Sequence, residues 1–317
     1  MTRARFPRLL SSTRFLQLAV WLVLAALIVS VVVFGVEYVW DRYIHLQDRS
    51  PVQVDIEQLE EAVRQEPGNS MTRVALAETY LAAGQYEKAL DQADQVLALY
   101  PDTAAALLIA GMACAHLDRP EAALAPLQRF VILRQEEPMA GVDQALEAAY
   151  YFLGESYVEL DRPAEAIPML EAALAISSTD ADALYQLGLA YQATGQAQAA
   201  VDAYHQAVRL VPDFLEAYQA MALSCTTLEE PHLLTYARGM EAFCLKDDRK
   251  ALRYLEQATA ALPSFAPAYL GLGLLYERMG RLDEALVALR RAQALDPRDL
   301  ATQQALGRIG LMMKSQN

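Results

Sequence analysis

Residues 266–299 read APAYLGLGLLYERMGRLDEALVALRRAQALDPRD, and this stretch decides the fold. Tyr269, Leu272 and Tyr276 stand three and four apart, the spacing that gathers side chains on one face of an α-helix. Ala285 and Leu289 carry the same spacing into a second run, and Pro297 follows where a helix cannot continue. Gly273, directly after Leu272, lets the second helix cross the first closely, since a larger side chain there would hold the two backbones apart. Tyr276, one turn later, and Ala285 on the second helix fill the complementary space.

The pattern recurs along the chain. Leu184, Leu187-Gly188, Tyr191, Ala200, Tyr204 and Pro212 repeat it, as do Leu76-Ala77, Tyr80, Ala89 and Pro101. A weaker copy holds Gly111, Cys114, Ala123 and Leu127; a further one holds Tyr150, Leu153-Gly154, Tyr157, Ala166 and Leu170 with Ser178 in place of the proline; and another holds Gly239, Ala251, Leu255, Ala258 and Pro263. Pro67 and Pro101, Ser178 and Pro212, and Pro263 and Pro297 are each 34 residues apart. In period and in residue types this resembles the tetratricopeptide-repeat (TPR) superfamily over roughly residues 52–314. The resemblance implies an all-α fold, a right-handed TPR α-solenoid of helix-turn-helix repeats at 53–317.

In register, full repeats fall at about 70–103, 104–137, 147–180, 181–214, 232–265 and 266–299. Two departures interrupt them. Nine extra residues around Arg134–Val142 lengthen a loop or a helix between the second and third repeats. Residues 215–231 read as a half-repeat, a lone first helix with Tyr218, Met221-Ala222 and Cys225, which is expected to kink the stack or change its face. Residues 53–66 and 300–314 read as capping helices, which a finite stack needs because an exposed repeat face is apolar.

The N-terminus carries a different signal. Phe15–Val36 holds 22 residues without a charge, about 33 Å of helix at ~1.5 Å per residue, enough for a ~30 Å hydrocarbon core. The run is too long for a signal peptide and offers no small-x-small cleavage site. The expected layout is a basic tail at 1–14, a transmembrane anchor helix at 15–40 and a linker at 41–52. Arg3, Arg5, Arg8 and Arg14 flank the run on one side, and Tyr38 and Trp40 mark the far interface. Arg42 and Arg49 follow it, interleaved with acids, so the balance of basic residues favours a cytoplasmic N-terminus and an extracytoplasmic array.

Composition narrows the function. The chain has 26 Lys and Arg against 40 Asp and Glu, a net charge of −14, with four of the basic residues before the apolar run. Such an acidic body repels phosphate backbones, so nucleic acid is not an expected partner. The three cysteines, Cys114, Cys225 and Cys244, are widely spaced and read as small core residues rather than a disulfide or zinc framework. The histidines match no metal spacing, and no P-loop, G-x-S-x-G or dinucleotide fingerprint occurs. The expectation is a non-enzyme without cofactor, metal or small-molecule substrate.

The resemblance implies that a protein or peptide partner lies along the first helices of the repeats, in a concave groove. Transferred position by position, the candidates are Glu78, Leu108, Met112, Tyr151, Glu155, Glu159, Tyr185, Leu189, Gln192, Tyr236, Met240, Phe243, Leu270, Leu274 and Glu277, with Asp182 among the groove acids. The three tyrosines are expected to be open to the groove. The Lys/Asn/Arg clamp of chaperone-binding relatives is missing, since Val74 and Glu78 stand at its positions. The surface suits an apolar segment, extended or helical, with a basic residue to meet the acids. The leading expectation is a membrane-tethered bacterial scaffold or adaptor for envelope assembly or secretion. A cytosol-facing receptor or regulator, or a non-catalytic subunit of a membrane enzyme complex, are the alternatives.

Overall fold

The computed structural model describes residues 50–316 and, before them, Ser30 and Phe34. The expected basic tail, anchor helix and most of the linker lie outside the described residues, with Arg3, Arg5, Arg8, Arg14, Tyr38 and Trp40. No helix among the described residues is long and apolar enough to cross a membrane. From residue 50 onward the described residues form fifteen α-helices and a short 3-10 turn, with no strand.

The chain divides into two compact units between Gly68 and Asn69. In the first, α1 (Pro51–Gln65) starts where a capping helix was expected. Ser50 and Gln53 cap it reciprocally, each side chain accepting the other's backbone N–H at 3.3 Å.

The second unit contains all the repeats. Their helix pairs are α2 (Ser70–Ala82) with α3 (Tyr86–Leu97), α4 (Ala104–His116) with α5 (Pro120–Arg134), α6 (Gln144–Glu159) with α7 (Pro163–Ile176), and α8 (Ala181–Ala193) with α9 (Ala197–Leu210). A single helix follows, α10 (Leu215–Thr227). After it come α11 (Pro231–Cys244) with α12 (Asp248–Ala261), α13 (Ala266–Arg278) with α14 (Leu282–Leu295), and the terminal α15 (Leu300–Gln316).

Glycine sets the crossing inside five of the six pairs. A Cβ built on Gly154 would lie 2.4 Å from Leu170 Cγ, and one on Gly188 would lie 2.3 Å from a Tyr204 ring carbon. Gly111, Gly239 and Gly273 meet Leu127, Leu255 and Leu289 in the same way. In the first repeat the equivalent positions hold Ala77 and Ala93, both fully buried, so a larger first-helix residue accompanies a smaller second-helix one.

The repeat tyrosine joins one repeat to the one before. Tyr191 donates to Glu171 at 2.7 Å, Tyr276 donates to Glu256 at 3.3 Å, and Tyr157 accepts from Gln128 at 2.7 Å. Each acceptor or donor sits on the second helix of the preceding repeat.

The turn after each first helix contains a residue with positive φ. Gly84, Gly195 and Gly280 take this place in three turns, and Asp118, Asp161, Glu229 and Lys246 in the others. Glu229 follows α10, so the lone helix ends as a first helix ends. The nine inserted residues form a loop with a 3-10 turn at Ala140–Val142. Asp143 closes that loop, accepting from Ala145 and Leu146 N–H groups and pairing with Arg134 at 2.7 Å. The cap moves the helix start to Gln144, three residues ahead of the expected repeat boundary.

Consecutive helices from α2 to α15 all pack on one another. Contacts between second neighbours show which helices share a row. Up to the lone helix they join α2 to α4, α4 to α6, α6 to α8 and α8 to α10. Beyond it they join α11 to α13 and α13 to α15. The row of first helices therefore passes from the even-numbered to the odd-numbered helices at α10. At the end, α15 buries Ala305 and Ile309 in one cluster with Ala285 and Leu289, as a cap should.

Candidate groove of the first helices

From α4 onward the even row, α4, α6, α8 and α10, contains no Lys or Arg, and Arg73 on α2 at its near end donates to Gln92 at 2.8 Å. It carries Glu147, Glu155, Glu159, Asp182 and Glu216, and none of these has an ion-pair partner among the described residues. Leu108, Met112 and Leu189 are half-buried between them, and Glu78 on α2 is exposed at the near end.

Two tyrosines stand at equivalent places on adjacent helices. Tyr151 is half-buried, its ring 5.1 Å from Phe152, and it donates to Glu155 Oε1 at 2.8 Å. Tyr185 is half-buried one repeat on, 5.1 Å from Phe214 and 5.9 Å from Tyr204. The acids beside them are uncomfortable as anions. Burial raises the Glu155 carboxyl, the Tyr151 hydrogen bond partly offsets this, and Asp182 adds to the rise. Burial raises Glu159, helped by Glu155 and Asp118, and burial raises Asp182, helped by Asp180. At the edge of the row, burial and the neighbouring Asp180 push Glu147 up to about 7.

Gln192 does not face an open groove alone. Its Oε1 accepts from Ser224 at 2.8 Å and Tyr204 at 3.3 Å, tying α8 to α9 and α10.

The odd row after α10 differs. Tyr236 and Met240, expected in an open groove, are each only 2% exposed. Because α11 follows a lone first helix, Tyr236 is enclosed by Tyr218 at 6.0 Å and Phe265 at 5.0 Å. The Met240 sulfur fills the space beside Gly271 on α13, where a Cβ would meet it at 2.4 Å. Leu270 and Leu274 help line a cavity of about 30 Å³, room for about one water. The charges here are matched. Arg308 grips Glu277 with two bonds of 2.9 Å, Arg278 lies 4.0 Å over the Phe243 ring and pairs with Asp248, and Arg209 reaches Asp296 at 3.5 Å.

Sequence reading missed Leu223 and Glu216. Leu223 is 59% exposed on α10 and extends the even row. Both were legible by period, lying 34 residues after Leu189 and Asp182. Cys114 and Cys225 are buried, as their repeat positions imply, while Cys244 is only half-buried.

Models of the family described as tetratricopeptide repeat match residues 74–138, 145–213 and 266–299, together more than half of the chain. No curated protein matches significantly. Among solved structures, the chain is similar to MamA, at 26% identity over 61% of this chain and 94% of that one, with a TM-score of 0.44. It is also similar to YrrB, entitled a TPR protein with an unusual peptide-binding site, at 19% identity over 67% and 96%, with a TM-score of 0.48. A tetratricopeptide repeat protein from Parabacteroides merdae is 15% identical over 86% and 98%, with a TM-score of 0.45.

Proposed function

The chain belongs to the tetratricopeptide-repeat family, and from that we propose that its even row holds a partner protein segment as a membrane-tethered scaffold. The observation that carries the reading is the asymmetry between the rows. The even row presents half-buried aromatic and aliphatic side chains with acids that have no ion-pair partner among the described residues, while the odd row pairs Glu277 with Arg308 and Arg278 with Asp248 and buries Tyr236. A surface that keeps partly buried carboxylates without a cationic partner among the described residues is suited to a partner that brings the cations.

The test places a photo-crosslinking residue at Leu189 in the groove and, separately, at Glu121 on α5, with the full chain in native membranes. A discrete protein adduct from Leu189 and none from Glu121 is expected. The same adducts from both positions would show that the groove is not the surface used.

Tethering rests on the uncharged run Phe15–Val36 and its arginine-flanked N-terminus. The array then lies outside the cytoplasm, in keeping with a role in envelope assembly or secretion. An alkaline-phosphatase fusion after residue 60 is expected to be active; an inactive, stably expressed fusion would put the array on the cytoplasmic side. The proposed role is non-catalytic.

A further inference from the structure

We infer that the even row reads a polyproline-II segment carrying cationic side chains three residues apart, preceded or followed at the same interval by an apolar one. The inference rests on the groove reading above and specifies its ligand.

The structural basis is a ladder with two steps that share a tyrosine and an acid on the next helix and differ in Glu155, whose place beside Tyr185 is taken by Leu189. On α6, Tyr151 is braced by another ring at 5.1 Å and donates to Glu155 at 2.8 Å, and the next helix of the row supplies Asp182. On α8, Tyr185 is braced by another ring at 5.1 Å, and the next helix of the row supplies Glu216. Each step thus sets an immobilised aromatic ring near a carboxylate, the pairing that takes an ammonium or guanidinium by cation–π attraction and charge together. The electrostatics agree: burial raises both hydroxyls, Glu155 and after it Asp182 add to the rise at Tyr151, and Glu216 adds to it at Tyr185.

The ladder has definite ends. On α10 the tyrosine place is taken by Gln219, which donates to Glu241 at 3.3 Å. On α4 it is taken by Leu108, and the acid place on α6 is Ala148. One apolar step therefore adjoins two cationic ones.

Adjacent packed helices stand about 8–10 Å apart. A polyproline-II chain has three residues per turn at ~3.1 Å each, so residues i and i+3 face the same way about 9 Å apart. A β-strand turns residue i+3 to the opposite face, and its same-face spacings are about 7 or 13 Å. The three-residue interval is the one that meets successive steps.

The test uses the full chain in detergent and fluorescent peptides of fixed composition, with two arginines separated by two to seven positions and one leucine. Binding is read by anisotropy at low and moderate salt. The i, i+3 peptide with leucine three residues beyond is expected to bind best, by about tenfold over the i, i+2 and i, i+4 peptides. Tyr151→Ala and Tyr185→Ala should each lose about tenfold, and Asp182→Asn with Glu216→Gln should flatten the salt dependence. Helical content by circular dichroism checks that the variants fold, and Tyr→Phe should retain most binding. A peptide that crosslinks to Leu189 without preference for spacing, or that prefers i, i+7 as a helix would, overturns this inference and leaves the groove reading intact. Peptide that binds but crosslinks elsewhere, or no binding by any peptide, overturns it along with the reading of the groove as a site for basic segments.

Discussion

Gly154 and Leu170 form a complementary pair, and so do Ala77 and Ala93 two repeats earlier. A methyl added at Gly154 has no room, because its place is 2.4 Å from Leu170 Cγ. Gly154→Ala is expected to lower stability by about 1–3 kcal/mol, the cost of overpacking a full core. In a Leu170→Ala background the same change should cost far less, since the pair then matches the first repeat. Urea unfolding of the four proteins in the cycle measures this, and equal costs in both backgrounds would contradict it. Pairs of this kind were legible in the sequence because the glycine and its partner stand at a fixed separation within one repeat. The burial of Tyr236 was not legible in the same way. Its position in the repeat matches Tyr151 and Tyr185, and what encloses it, Tyr218 and Phe265, comes from α10 and from the turn before α13.

Helices were read well where a proline or a glycine marks them, and less well where a cap decides. The sequence places the third repeat at Glu147, but Asp143 caps the helix and starts it at Gln144. Glu147 is thereby inside the first turn, beside Asp180, the residue that caps α8 by accepting from Asp182 and Ala183 N–H groups at 2.9 and 3.0 Å. With Glu147 raised from 4.5 to about 7, the native state keeps a proton that the unfolded chain has lost across that interval. Stability contributed by this contact therefore falls as pH rises from about 4.5 towards 7 and stays low above it. Glu147→Gln should remove that slope, leaving the variant more stable than the parent at pH 8 and little different at pH 4.5. Chemical denaturation at the two pH values checks the sign. A variant destabilised equally at both would mean the carboxylate is not strained by Asp180.

The array as a whole follows the sequence in its period and departs from it in its sidedness. Repeat boundaries come from local spacing, whereas the row a helix joins depends on how many helices precede it. Residues 215–231 were readable as half a repeat, but only the contacts show that α11 and α13 continue a different row from α8 and α10. Removing 215–231 should give an uninterrupted stack with unchanged helical content per residue. It should also separate α9 from the turn after α14, where Arg209 now meets Asp296 at 3.5 Å. Spin labels at Gln206 and Arg298 are expected to move apart by on the order of 10 Å, one helix layer; an unchanged distance would mean that something other than α10 brings them together. The single helix also implies a parity rule for arrays of this kind. Gaining or losing helices two at a time lengthens or shortens the recognition strip and leaves it on its original side. Gaining one exchanges inside for outside for everything downstream, so a thirteen-residue helix can redirect all the repeats that follow it without altering a residue of them.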